Sequence, residues 1–341
     1  MGARRLVLAG MVVLAVALLG AGGWVHRELR RPYAGWSGER IDVILEPGLG
    51  ATSMLTRLQA AGVLRHPKLL RAWLEWKGGS EALQAGEYRF DEPISPLDVL
   101  ERLRRGRVLL HPVTIPEGLV LEEAAELLAA AGLGTNEALL AAFRDPGALL
   151  EIDTKASGLE GYLFPDTYNF PRNVSPAAIV EAMLKRFAEV VGPDFAARAA
   201  AVGLEPREAV TLASMIEKET GVEGERRRIS RVFHNRLKRR IRLQCDPTVR
   251  YALHRAGTEV RQLTYDHLEF DSPWNTYRVY GLPPGPIASP GQASLDAALD
   301  PADGDELYFV ASPEGGHTFS KDLESHRKAV REWRRHLRSS R

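Results

Sequence analysis

Leu6 to Val25 is an unbroken run of apolar residues and glycines without a single charge. As a helix, 20 such residues rise about 30 Å, the thickness of a hydrocarbon core. The run exceeds the 7–15 apolar residues usual in a cleaved signal peptide, so it reads as a retained anchor. Small residues at Ala21, Gly22 and Gly23 keep a cleavage site as the alternative. Arg4 and Arg5 precede the run and Arg27, Arg30 and Arg31 follow it, so flanking charge alone leaves the orientation nearly balanced. A short tether over 26–40 follows, with Pro32, Gly35, Ser37 and Gly38.

The remainder is long enough for two domains, in a chain of 341 residues. With 26% charged residues and a net charge of +1, no strong field argues for nucleic acid. The lone cysteine, Cys245, cannot close an intrachain disulfide and leaves the redox compartment open.

The first soluble stretch alternates strand and helix signals. Strands are expected at 41–45, 86–90 and 108–115, and helices at 51–61, at 67–77 ended by Gly78-Gly79, and from Ser95-Pro96 to Gly106. Ser95 suits an N-cap and Pro96 the first helical position. Pro47-Gly48 with Ala60-Ala61-Gly62 is echoed by Glu117-Gly118 with Ala130-Ala131-Gly132, at the same glycine spacing. Two similar strand–helix units are too few for a solenoid. Units of this kind bind extended polymers or act as spacers.

Leu159 to Pro171, LEGYLFPDTYNFP, combines Tyr162, Phe164, Tyr168 and Phe170 with Glu160, Asp166 and Asn169. Aromatic faces beside carboxylates suit a sugar, and equally a buried loop. Ser175-Pro176 opens a helix to about Val191. Pro206 to Thr220, PREAVTLASMIEKET, places Ala209, Leu212, Ala213 and Ile216 on one helical stripe. Glu217 and Glu219 flank that stripe and Lys218 points away from it. A carboxyl half-sunk in apolar surface has its charged form disfavoured, as a general acid at neutral pH requires; on an arbitrary helix the same two residues are solvated flank positions. A third helix spans 223–237. LQCDPTV at 243–249 turns into a helix over 248–254, SPWNTY at 272–277 and GLPPGPIASPG at 281–291 are Pro/Gly-rich loops suited to binding, and a helix at 294–299, a strand at 307–311, a Gly315-Gly316 turn into residues 317–320, and a basic outer helix at 322–337 complete the chain.

No HExxH, Cys/His cluster, P-loop, GxGxxG after a strand, or GxSxG elbow is present, so neither a metal nor another cofactor is expected. What remains is acidic chemistry with a helix-borne carboxyl pair.

In order, the anchor, LEGYLFPDTY, LASMIEKET, HNRL at 234–237, LQCDPTV, SPWNTY, GLPPGPIASPG and HTFSKDLESH resemble the endolytic murein transglycosylase (YceG-like) family over about residues 41–330. The resemblance implies an α+β chain. Its parts are a cytoplasmic N-terminus at 1–5, a transmembrane helix at 6–25, the tether, a LysM-like domain at 41–110, a connecting strand–helix unit at 111–155 and a catalytic domain at 156–335. It implies a single-pass protein of the bacterial inner membrane whose soluble part faces the wall. It implies cleavage of the MurNAc-β-1,4-GlcNAc bond inside glycan strands to leave 1,6-anhydro-muramoyl ends, which terminates nascent strands, and peptidoglycan synthases as partners. The family's catalytic glutamate is the first of the EKET motif, here Glu217; helix geometry alone leaves Glu217 and Glu219 equivalent. The substrate-positioning set expected around it is Glu219, Glu160, Tyr162, Gln244, Asp246, Asn275 and Tyr277. Cys245 departs from the serine or threonine expected before Asp-Pro, which bears on a hydroxyl contact and not on the chemistry. A non-catalytic peptidoglycan-binding scaffold, and a hydrolytic muramidase pairing Glu217 with Glu160 or Asp246, carry the same motifs. A Schiff-base lysine has little support, because Lys218 lies opposite the apolar stripe.

Overall fold

A computed structural model describes residues 2–77, 83–149, 153–222 and 224–339. The chain mixes helix and sheet and separates into two compact units. One comprises residues 1–111 with 169–173, the other 112–168 with 174–341.

The first unit begins with α1 (Gly2–Arg30), which is long and apolar enough over Val7–Arg30 to cross a membrane and buries none of its apolar window. It runs past the expected anchor into the expected tether, and its last turn is packed: Leu29 is 2% exposed in the unit's core. Beyond it, Tyr33 exchanges backbone hydrogen bonds with Ile94, and the Gly35 N–H donates to the Gly62 carbonyl at 2.8 Å. Residues 26–40 are therefore built into the unit and do not hang free. β1 (Ile41–Leu45), α2 (Ala51–Ala60), α3 (Pro67–Trp76) and β2 (Gly86–Phe90) follow. β1 and β2 pair antiparallel with Val43 opposite Tyr88 and Ile41 opposite Phe90. Alternation puts Val43, Leu45, Tyr88 and Phe90 into the core against Leu55, Leu58 and Leu70 of the helices. The expected Gly78-Gly79 stop lies outside the described residues. α4 (Pro96–Arg104) starts as its sequence requires, with Ser95 Oγ accepting from the Asp98 N–H at 3.2 Å. β3, shorter than expected at His111–Thr114, starts on the last residue of the 1–111 run and continues into the second unit.

In the second unit, α5 (Leu121–Ala130) and α6 (Asn136–Arg144) form a helical pair. β4 (Thr167–Phe170) pairs with β3, so the segment read as an aromatic loop contains a strand. Helices α7 (Pro176–Val191), α8 (Phe195–Ala201), α9 (Pro206–Glu219), α10 (Arg226–Lys238), α11 (Asp246–Arg255), α12 (Tyr265–Leu268) and α13 (Gln292–Leu299) come next. Residue 223, the expected start of α10, lies outside the described residues. The hairpin β5 (Tyr308–Ala311) and β6 (His317–Ser320) and the outer helix α14 (Leu323–Ser339), whose Ala329 alone is buried, close the unit.

α9 is the axis of this unit, with α8, α10, α11 and α13 against it. Ala209 through Ile216 are all buried, so α9 is enclosed and is not a one-striped amphipathic helix. Two polar residues are tolerated inside because their hydroxyls bond to the helix itself: Thr211 to the Arg207 carbonyl at 2.8 Å and Ser214 to the Thr211 carbonyl at 2.7 Å.

Candidate active site

The C-terminal end of α9 carries the site. Pro206 occupies the first turn, and the Glu205 N–H is capped by Glu208 Oε2 at 2.8 Å. The enclosed middle fixes the helix, and its last residues emerge where two loops cross. The Glu217 side chain is 8% exposed, its Oε2 accepts from the Gly291 N–H at 3.1 Å, and its Oε1 lies 3.7 Å from Arg226 Nη2. Its niche is thus partly polar, with a backbone donor at the N-cap of α13 and a cation from α10. Arg226 is itself aimed by Ser294, buried on α13, to which its Nε donates at 3.1 Å.

The loops are tied to one another. The Gly118 N–H donates to the Ser289 carbonyl and the Ser289 N–H to the Leu119 carbonyl, both at 2.8 Å. Lys218 Nζ donates to the Gly118 carbonyl at 2.9 Å. This clasp sets Glu117 beside Glu217. Burial, and then the charge of Glu217, raises Glu117 above the usual glutamate range, while Arg226 opposes the rise. Glu117 was not among the residues expected from the sequence; no spacing rule connects it to a glutamate so far along the chain.

The nominated residues fall into two groups. In one, Gln244, Asp246, Asn275, Tyr277 and Glu219 gather around Cys245. The N–H groups of Gln244 and Cys245 donate to the Thr276 carbonyl at 3.1 Å and its hydroxyl at 2.9 Å. Tyr277 donates its hydroxyl to Asp246 Oδ1 at 2.6 Å. Asn275 is fully buried and serves its own loop, its Nδ2 donating to the carbonyls of Leu268 and Phe270 at 3.0 and 2.7 Å. Burial pushes Glu219 up to about 7, against the pull of its hydrogen bond with the Cys245 thiol. Burial and Glu219 together push that thiol up.

In the other group, Glu160 and Tyr162 line a cavity of about 540 Å³ with Tyr251, Arg255 and Trp274. Burial pushes Glu160 up to about 8. Its Oε2 accepts from the Tyr251 hydroxyl at 3.2 Å, while its Oε1 and the indole N–H of Trp274 are buried with no hydrogen-bond partner among the described residues. The guanidinium of Arg255 lies 4.5 Å from the Trp274 ring. Tyr162 turns its hydroxyl to Asp153 Oδ2 at 2.9 Å, and Arg207 holds the same carboxylate. A second cavity, of about 520 Å³, shares Glu122, Tyr251 and His254 with the first and is lined by Lys218 and Ile287. Glu217 lines neither; its neighbour Lys218 reaches the second. Gly161 has φ +83°, and a side-chain carbon there would lie 2.3 Å from Pro286, so glycine lets the 281–291 loop close on Glu160. Among the described residues, no three His, Cys, Asp or Glu side chains gather in a way that could hold a metal ion.

A model of the YceG-like family matches residues 43–332. This chain belongs to the YceG-like family. A family member from Bacillus subtilis (strain 168), named endolytic murein transglycosylase, is 31% identical over 331 residues, spanning 92% of this chain and 90% of that protein. Another of the same name from Streptococcus pneumoniae serotype 2 is 29% identical over 363 residues, spanning 96% of this chain and 65% of that longer protein. A crystal structure of a YceG-like protein from Listeria monocytogenes superposes with a TM-score of 0.58 at 31% identity, covering 86% of this chain and 99% of that one. Another motif of this YceG-like chain, HNRL, ties down neighbouring backbone. His234 Nε2 meets the Ala298 carbonyl at 2.9 Å, and Asn235 donates to the carbonyls of Gly304 and Glu306 at 3.2 and 3.0 Å. Buried Arg236 donates to the Leu307 and Leu243 carbonyls at 2.6 and 2.7 Å.

Proposed function

We propose that this chain is an endolytic murein transglycosylase, a carbon–oxygen lyase that cuts MurNAc-β-1,4-GlcNAc bonds within glycan strands and leaves 1,6-anhydro-MurNAc ends. The observation that carries the reading is Glu217 at the end of an enclosed helix, with its carboxylate fixed between the Gly291 N–H and Arg226. The names of the Bacillus and Streptococcus relatives support it.

In this mechanism protonated Glu217 donates to the leaving glycosidic oxygen as an oxocarbenium-like state develops. The resulting carboxylate takes the proton of the muramoyl C6 hydroxyl as that oxygen attacks C1. Neither a water nor a second nucleophilic carboxylate enters, unlike ordinary glycoside hydrolysis. A single acid/base of this kind contributes roughly 10²–10⁴ in rate, and fixed dipoles and charges such as Arg226 contribute beyond it. The Tyr251–Trp274 cavity with Glu160 and the Gln244–Asp246–Tyr277 cluster supply polar and aromatic groups for the flanking sugars.

The remaining parts of the reading concern placement. α1 anchors the chain once in the cytoplasmic membrane with the residues after it on the wall side, the β1–α2–α3–β2 arrangement serves as a LysM-like glycan-binding region, and peptidoglycan synthases whose nascent strands are cut are the partners. Incubation of purified wall with the chain, followed by mass spectrometry, tests the activity. Wild type releases anhydro-muropeptides lacking the water that hydrolysis adds, and E217Q releases none. Reducing ends in their place would make the enzyme a muramidase. Equal release by E217Q would leave a binding scaffold.

A further inference from the structure

Two acids meet at Gly291. A side-chain carbon on Gly291 would lie 1.9 Å from Glu117 Oε1, and the N–H of the same glycine donates to Glu217 Oε2 at 3.1 Å. Glu117 is held there by its backbone, through the Gly118–Ser289 and Ser289–Leu119 bonds and the Lys218–Gly118 bond. A side-chain carbon on Gly118 would lie 3.8 Å from Glu217 Cγ, so the Glu117-Gly118 turn rests directly on the α9 terminus.

The charged groups facing this point are Glu217 and Lys218 from α9, Arg226 from α10 and Glu117 from its own turn; the loop before α13 offers backbone only. The two acids are unequally provided for. Glu217 has an N–H donor and a guanidinium. Among the described residues, no donor or ion-pair partner holds the Glu117 carboxyl, which is the more exposed of the two. Two acids that meet at one glycine resist joint ionisation.

We infer that Glu117 is the proton-holding partner of Glu217, the two acids keeping one proton between them across Gly291 while Arg226 balances the remaining charge. This deepens the transglycosylase reading and rests on it for the substrate. In the reaction the pair's proton goes to O4 as the C1–O4 bond breaks. The muramoyl O6 bonds to C1, and the O6–H proton returns to the pair, which ends as it began. Glu117 acts through Glu217 and is a positioning residue. The rise in the Glu117 titration caused by burial and by Glu217 agrees with the geometry.

Infrared difference spectroscopy of the intact chain at pH 7 tests the pair without any turnover. Wild type minus E117Q shows the loss of one protonated-carboxyl stretch, and wild type minus E217Q shows the same loss, because a proton held between the two acids needs both of them. A flat E117Q difference overturns the inference. Kinetics on purified glycan strands give the second arm. E117Q lowers turnover about 10- to 100-fold and displaces the pH–rate profile, E117D recovers part of both, and sedimentation with intact wall is unchanged. A wild-type rate and profile in folded E117Q overturn the inference, as does lost sedimentation with an unmoved profile. Absence of anhydro products from wild type overturns the transglycosylase reading instead, and the infrared arm then still decides whether the pair exists.

Discussion

Ser214, fully buried in the middle of α9, accepts a hydrogen bond from the backbone N–H of Ile287 at 3.0 Å. That bond ties the Pro/Gly-rich loop to the central helix, two residues before the loop clasps Gly118 and four before it reaches Glu217. The loop has no regular structure of its own, so its precision comes from this helix.

Replacement of Ser214 by alanine leaves a buried N–H without an acceptor. The expected loss is about 1–3 kcal/mol, read as a lower urea midpoint. Turnover falls with it because Gly291 loosens, while S214T retains the acceptor and part of both. A wild-type midpoint in S214A would show that the loop is held elsewhere.

Gly161→Ala meets two penalties at once. The left-handed backbone disfavours a side chain, and the new carbon would overlap Pro286. Together they cost roughly 2–5 kcal/mol. Chemical denaturation of G161A checks the figure, and a change below 0.5 kcal/mol would contradict the close approach.

Glu160 predicts a pH slope. Its carboxyl titrates near 8 in the fold and near 4.5 without it. Between those values the unfolded chain has released a proton that the folded chain keeps. Stability therefore falls as pH rises from about 4.5 to 8 and levels off above, by on the order of a few kcal/mol. Glu219, pushed up to about 7, adds to the lower part of that window. Melting temperatures measured from pH 5 to 8.5 should fall less steeply in E160Q than in wild type. Identical slopes would mean that Glu160 is ionised in the fold.

Arg236→Lys keeps the charge and loses the fork. One ammonium cannot reach both the Leu307 and Leu243 carbonyls, so the variant is expected to lose roughly 2–4 kcal/mol. Hydrogen exchange at β5 and at 242–245 should rise together. Exchange confined to one of them would show that the two segments are held independently.

Much of the architecture could be read locally. Ser95-Pro96 and Ser175-Pro176 open helices because a hydroxyl cap and a proline suit the first turn regardless of distant contacts. Strands 41–45 and 86–90 follow from alternation. The strand at 167–170 was hidden because a run of aromatics reads alike as loop or edge, and its partner lies more than fifty residues away. Glu117 was invisible for the same reason, since only the folded clasp brings it to Glu217. Asn275 and Tyr162 have the residue types of a sugar site, but the sequence does not show that Asn275 is bonded to its own loop or that Tyr162 faces Asp153. The stripe on α9 was a fair reading of its apolar residues and missed that Thr211 and Ser214 could satisfy themselves inside.

The burial of Leu29 decides where the chain can be shortened for work in solution. A form cut at residue 40, the end of the tether expected from the sequence, would discard a core side chain together with the Tyr33 and Gly35 bonds, and would leave α3 and α4 with an open greasy seam. A form that starts near Trp24 sheds most of the lipid-seeking surface and retains the plug.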